Sequence, residues 1–181
     1  MLSRRNWVVV AVALFLVASL AACGAPVAVP DRDIEVSVDT ALAAQEMLMA
    51  GMMMGGAELS ESEFSSLLTV LLDQNSGDAN PVDAVKVWFE PGNQVFAQVA
   101  LVDGVLPETF AGNTLDLAGT VGVEGGALML DLAGASAGGF GVNPALLAPI
   151  NDQINAALAG LGGIPVEVET AEGSVSVGLG M

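Results

Sequence analysis

Histidine and tyrosine are absent, cysteine occurs once, and lysine and arginine together number only four among 181 residues. Each absence removes a class of chemistry. Without histidine or a second cysteine there is no imidazole base, no thiol–imidazole couple and no ordinary zinc or copper ligand set. The single cysteine, Cys23, also excludes a disulfide within the chain. No histidine could serve a nucleophilic serine, and Gly138-Gly139-Phe140-Gly141 lacks the lysine of a phosphate-binding loop. Carboxylates are the acid–base groups that remain. Glu90, Glu124, Glu167, Glu169 and Glu172 fall at turns or outward strand positions where solvation is expected, and Glu61 and Glu63 belong to a helix-opening pattern. A hydrolase using carboxylates alone is the remaining catalytic alternative, and the sequence points to no enzyme. Asp73, Asn75, Asp78 and Asn80 are rich in oxygen but depart from the calcium-loop pattern, so they read as a solvated loop. Neither a metal nor another cofactor is implied.

The shortage of cations excludes partners too. Twenty-one acidic residues leave a formal net charge of −17, an imbalance that comes from missing Lys and Arg. Nucleic acid is ruled out as a partner, and anionic lipid head groups repel the chain. Hydrophobic residues make up 53 % and aromatics only 4 %, so the core must be aliphatic, built from Leu, Val, Ala and Met.

What is present begins with an address. Arg4 and Arg5 precede an apolar run from Val8 to Leu20 that is short for a bilayer span, the layout of an export signal. Ser3 to Val8 loosely resembles a twin-arginine motif. Leu20-Ala21-Ala22-Cys23 resembles the bacterial lipobox, in which the signal is cut before the cysteine and the thiol is acylated with palmitate-class chains. The division expected is a lipoprotein signal peptide over 1–22, a tether over 23–33 and one α+β domain over 34–181. Signal removal takes the net charge to about −19 and leaves Arg32 and Lys86 as the strong cations. Two or more acyl chains hold a protein stably. The expected location is the bacterial cell envelope, anchored to the outer face of the cytoplasmic membrane or to an outer membrane.

Along the rest, Gly24 to Pro30 reads as extended, and Ile34 to Val38 alternates like a strand lead-in. Asp39 or Thr40 is the expected cap of a helix through Ala41, Leu42, Ala44, Met47, Leu48 and Met49, closed by Met52-Met53-Met54 and Gly55-Gly56. Ser60 to Glu63 fits a capping box for a second helix with Phe64, Leu67, Leu68, Leu71 and Leu72 inward. Three hairpins follow, over Val82–Leu101, Thr114–Leu132 and Val166–Val177. Between the last two lies the most helix-periodic stretch, Asn143–Leu161, with Leu146, Leu147, Ile150, Ile154, Leu158 and Leu161 on one stripe and Asn151, Asp152 and Asn155 off it. Pro149 demands a break or a helix start nearby. Ala145 to Leu161 would span roughly 24 Å as one helix. The expected fold is therefore α+β, a curved antiparallel sheet of hairpins wrapping one long amphipathic helix, with two N-terminal helices.

Three stretches carry a resemblance: Ile34-Glu35-Val36-Ser37, Leu59-Ser60-Glu61-Ser62-Glu63-Phe64, and Val85-Lys86-Val87-Trp88-Phe89-Glu90-Pro91-Gly92. With the Gly139–Pro144 bend, Ile150-Asn151, Ile154-Asn155 and the closing hairpin, they resemble bacterial envelope proteins of the YpmS-like and LmeA-like type. Those are similar to tubular lipid-binding (TULIP-like) domains, in which a long helix in a curved sheet leaves an apolar groove. The resemblance implies a membrane-tethered lipoprotein that binds or carries lipid or another hydrophobic molecule, with the six stripe residues lining the groove. A structural or accessory envelope lipoprotein with a closed core is the alternative. The methionines suit either core filling or a surface that adapts to acyl chains.

Overall fold

The computed structural model describes residues 26–76, 81–104, 112–142, 148–159 and 165–179. Its elements are α1 (Val38–Met54), β1 (Gly56–Ser60), α2 (Glu61–Ser76), β2 (Val82–Glu90), β3 (Gln94–Leu101), β4 (Thr114–Glu124), β5 (Ala127–Ala137), β6 (Phe140–Gly141), α3 (Ala148–Ala159), β7 (Pro165–Ala171) and β8 (Ser174–Leu179). The fold is α+β, with three helices and two antiparallel sheets among these residues, a five-stranded sheet β2-β3-β4-β5-β6 and a three-stranded sheet β1-β8-β7. The three hairpins form where alternation and turn residues place them.

One sheet curved around one long helix is not seen among the described residues. The closing hairpin pairs instead with β1, the strand that separates the two N-terminal helices, and so builds a second sheet. The described part of the periodic stretch, α3, is 12 residues long. Pro149 sits in its first turn, where a missing N–H costs nothing.

Local rules account for the helix ends. Ser37, not Asp39 or Thr40, caps α1, its hydroxyl accepting the Thr40 N–H at 3.1 Å. Gly55 closes α1 in the left-handed region at φ 87°, which costs glycine little. The capping box of α2 is present, with the Ser60 N–H on Glu63 Oε2 at 2.8 Å and the Glu63 N–H on Ser60 Oγ at 3.4 Å. The expected lead-in strand does not form. Residues 34–37 are extended but lie along α2, where the hydroxyls of Ser62 and Ser66 take the N–H groups of Glu35 and Ser37 in place of a ladder.

The outer flank of β2, and the part of β5 that the two-residue β6 leaves unpaired, are covered by helix side chains. A helix rises about 6 Å in four residues and a strand about 7 Å in two, so every fourth helix residue meets every second strand residue. On α2, Glu61, Ser65 and Thr69 accept the free N–H groups of Phe89, Val87 and Val85 on β2 at 2.9, 2.8 and 3.0 Å. On α3, Asn151 accepts the Leu132 N–H at 3.3 Å, and Asn155 exchanges two bonds with the Leu130 backbone at 2.8 and 2.9 Å. The edges that could template pairing with another chain are thereby closed. Between them the core is aliphatic as composition requires, with the α2 residues Phe64, Leu67, Leu68, Leu71 and Leu72 all buried and Phe64 edge-on to Phe89 at 5.1 Å.

Candidate functional site

The stripe expected to line a groove divides across the described boundary. Ile154 and Leu158 are 3 % and 2 % exposed and belong to the continuous core, and Ile150 is half-buried against it. Ile154 and Leu158 thus lie inside the core, and Ile150 lies at its margin. Leu146, Leu147 and Leu161, like Cys23, lie outside the described residues. Asn151 and Asn155 are off the apolar stripe, as periodicity places them, yet Asn155 is buried, because a free sheet edge needs donors and acceptors where solvent would otherwise sit.

The open apolar surface is on α1. Its inner side, Ala41, Ala44 and Leu48, is buried. Its outer side carries Val38, Leu42, Met49 and Met53, spaced by four, seven and four so that they share one face, and they are 55 to 87 % exposed. Gln45 and Glu46 are the polar residues beside them. A helix apolar on nearly all sides is ordinarily enclosed, whereas this one is covered on one side only. Beside the stripe, a groove of about 50 Å³ between α1 and α2 is lined by Val38, Ala41, Leu42 and Gln45 and by Leu67, Val70, Leu71 and Gln74. The methionines divide in the same way: Met47 packs against the core, while Met49, Met53 and Met54 stand in solvent.

The polar features are structural in character. Arg32 binds Glu61 through Nη2 and Nε at 2.6 and 3.3 Å, Glu90 at 2.8 Å and the Phe89 carbonyl at 3.1 Å, with Glu172 at 3.6 Å. The hydrogen bonds it donates to Glu61, then Glu90, raise the arginine pKa further, so it stays charged. This latch closes a strap. Residues 26–33, expected as a free tether, are extended but docked: Val27 bonds Ser136 on β5, and the Arg32 carbonyl accepts the Trp88 indole N–H at 2.9 Å. Trp88, on the outward side of β2, is consequently buried. A shallow depression of about 400 Å³ on the three-stranded sheet is lined by Glu58, Glu167, Glu169 and small residues. Among the described residues no three carboxylates gather closely enough to hold a metal ion, and no helix is long and apolar enough to cross a membrane.

Among the described residues the fold and site thus define an acidic α+β protein whose five-stranded sheet is flanked by helix side chains and whose first helix leaves one apolar face uncovered. Compared with known protein families, with curated proteins and with solved structures, the chain matches none.

Proposed function

We propose that this chain is an envelope lipoprotein, tethered through acylated Cys23, that binds lipid or another hydrophobic molecule on the outer face of α1. The single observation that carries this reading is the exposed row Val38, Leu42, Met49 and Met53 on a helix whose other side is packed. Thioether side chains adapt to varied acyl shapes at little cost, and an aliphatic face free of cations suits the tails of an amphiphile better than its head group. The resemblance to tubular lipid-binding domains supports the same ligand class. In this proposal α1 takes the role expected of Ile154 and Leu158, and no catalytic step is assigned. A closed-core accessory lipoprotein is the second reading, favoured by the tight burial of Ile154 and Leu158.

Binding of a fluorescent fatty-acid analogue separates the two. Leu42→Asn and Met49→Asn each remove about 1.5 kcal/mol of apolar contact, so each is expected to weaken binding roughly tenfold. Their stability should stay within about 0.5 kcal/mol of the parent. Ile154→Ala should behave in the opposite way, losing about 2–5 kcal/mol of stability with its affinity unchanged while folded. No binding by the parent, or equal loss in all three variants, would favour the closed-core protein.

A further inference from the structure

The path of the chain brings the anchor and a set of exposed apolar side chains to the same end of the molecule. Val27 donates its N–H to Ser136 Oγ at 3.0 Å, and its carbonyl accepts from the same hydroxyl at 3.4 Å. Ser136 pairs with Asp116, close to the end of the sheet where β3 stops at Leu101, β4 starts at Thr114 and β5 stops at Ala137. Val27 follows Cys23 by only four positions, a reach of about 14 Å when fully extended. An acyl group on Cys23 therefore holds the Ala137 end near the bilayer, with too little slack for the domain to turn over freely.

The helices point the same way. Glu61, Ser65 and Thr69 of α2 meet Phe89, Val87 and Val85 in turn, so the C-terminus of α2 is directed to the Ala137 end. Ser37 bonds Ser66, and Gln45 shares a groove with Gln74, so α1 runs in the general direction of α2 and carries Met53 and Met54 that way. Phe140, the partner of Ala137 in β6, is exposed, and so is Val102, just past the end of β3. Met53, Met54, Val102 and Phe140 are four of the seven large hydrophobic residues exposed among the described residues. The opposite end holds Arg32, Glu61, Glu90 and Glu172, and beyond them Glu124 at the end of β4, while Asp73, Asp83 and Asp103 stand exposed around the apolar residues of the Ala137 end.

We infer that the Ala137 end rests on the membrane, with Met53, Met54, Val102 and Phe140 at the lipid surface and the Arg32 end turned away. This orientation rests on the lipoprotein reading above. Charge selects the surface: a mature chain at about −19, with Asp73, Asp83 and Asp103 on this same end, is repelled by anionic head groups, so the partner is a zwitterionic or uncharged lipid surface contacted through apolar side chains. In this pose the α1 face leads away from the bilayer, and an acyl chain leaving the membrane keeps apolar contact along Met53, Met49, Leu42 and Val38.

The test uses the full lipidated protein in phosphatidylcholine vesicles. The lipid occupies the thiol of Cys23, the chain's one cysteine, so Phe140→Cys, Met53→Cys and Glu124→Cys each offer one free thiol for an environment-sensitive fluorophore. The labels at 140 and 53 are expected to shift to the blue and to be quenched by brominated acyl chains, and the label at 124 to keep its aqueous spectrum. Vesicles containing phosphatidylglycerol should give a smaller shift at 140 and 53. A blue shift at 124, or aqueous spectra at 140 and 53 on vesicle-bound protein, overturns the orientation. The mass of each sample reads the anchor separately. A mature chain without acyl groups, or a Cys23→Ala variant that is processed and still membrane-bound, overturns the lipoprotein reading itself.

Discussion

Asn155→Leu should destabilise the protein by about 2–4 kcal/mol although it replaces a polar core residue with an apolar one of similar size. The carboxamide is buried and completes both the N–H and the C=O of Leu130 on the edge of β5. Leucine leaves those two backbone groups without partners and out of reach of water, at about 1–3 kcal/mol for each group left unsatisfied. Asn151→Leu, which concerns the single longer bond to Leu132, should cost less. Urea unfolding of both variants checks the ranking. A neutral or stabilising Asn155→Leu would mean that α3 is held by its apolar stripe alone and that the edge bonds are incidental.

The second large effect is expected at Arg32. Arg32→Ala leaves Glu61, 7 % exposed, with the Phe89 N–H as its remaining bond and places Glu90 nearby without its counter-charge. Removing one partner of a buried ion pair costs about 3–5 kcal/mol, and partial exposure of the arginine side chain lowers the expectation to about 2–3 kcal/mol. Arg32→Lys should recover only part, because a single ammonium cannot reproduce the paired Nε and Nη2 contacts to Glu61. Hydrogen exchange adds a local signature, faster exchange at the Trp88 indole and at the Val27 amide as the strap lifts. If Arg32→Ala changes stability by less than about 0.5 kcal/mol, the latch is an ordinary surface cluster of the kind that contributes little.

These two sites also mark where the sequence could and could not be read. Elements governed by local rules were legible: the capping box at Ser60 and Glu63, the glycine stop at Gly55, the apolar side of α2 and the three hairpins follow from nearest-neighbour chemistry. Asn151 and Asn155 were legible only as off-stripe residues, since periodicity separates apolar from polar positions but cannot distinguish solvent from a bare sheet edge. β1 alternates only over the two apolar residues Ala57 and Leu59 of Gly-Ala-Glu-Leu-Ser, too short a run to mark a strand without the partner that β8 offers, so the division into two sheets was hidden. The strap looked like a linker because Pro26 and Pro30 suit both a free and a docked extended chain. One signal was available for the latch: in a chain with only four cations, two of them in its first five residues, an arginine is apt to be committed to specific carboxylates. For the α1 face, the methionine run marked an apolar segment but not which of its sides is left exposed.

The central claim, that α1 holds a hydrophobic ligand, is tested most directly by native mass spectrometry of the chain expressed without residues 1–22 and purified without detergent. The account predicts a population heavier by the mass of a co-purifying amphiphile in the parent protein. In a Leu42→Asn, Met49→Asn double variant that keeps the parent's thermal midpoint, that population should disappear. A parent protein that shows only its bare mass, or an adduct retained unchanged by the double variant, would contradict it.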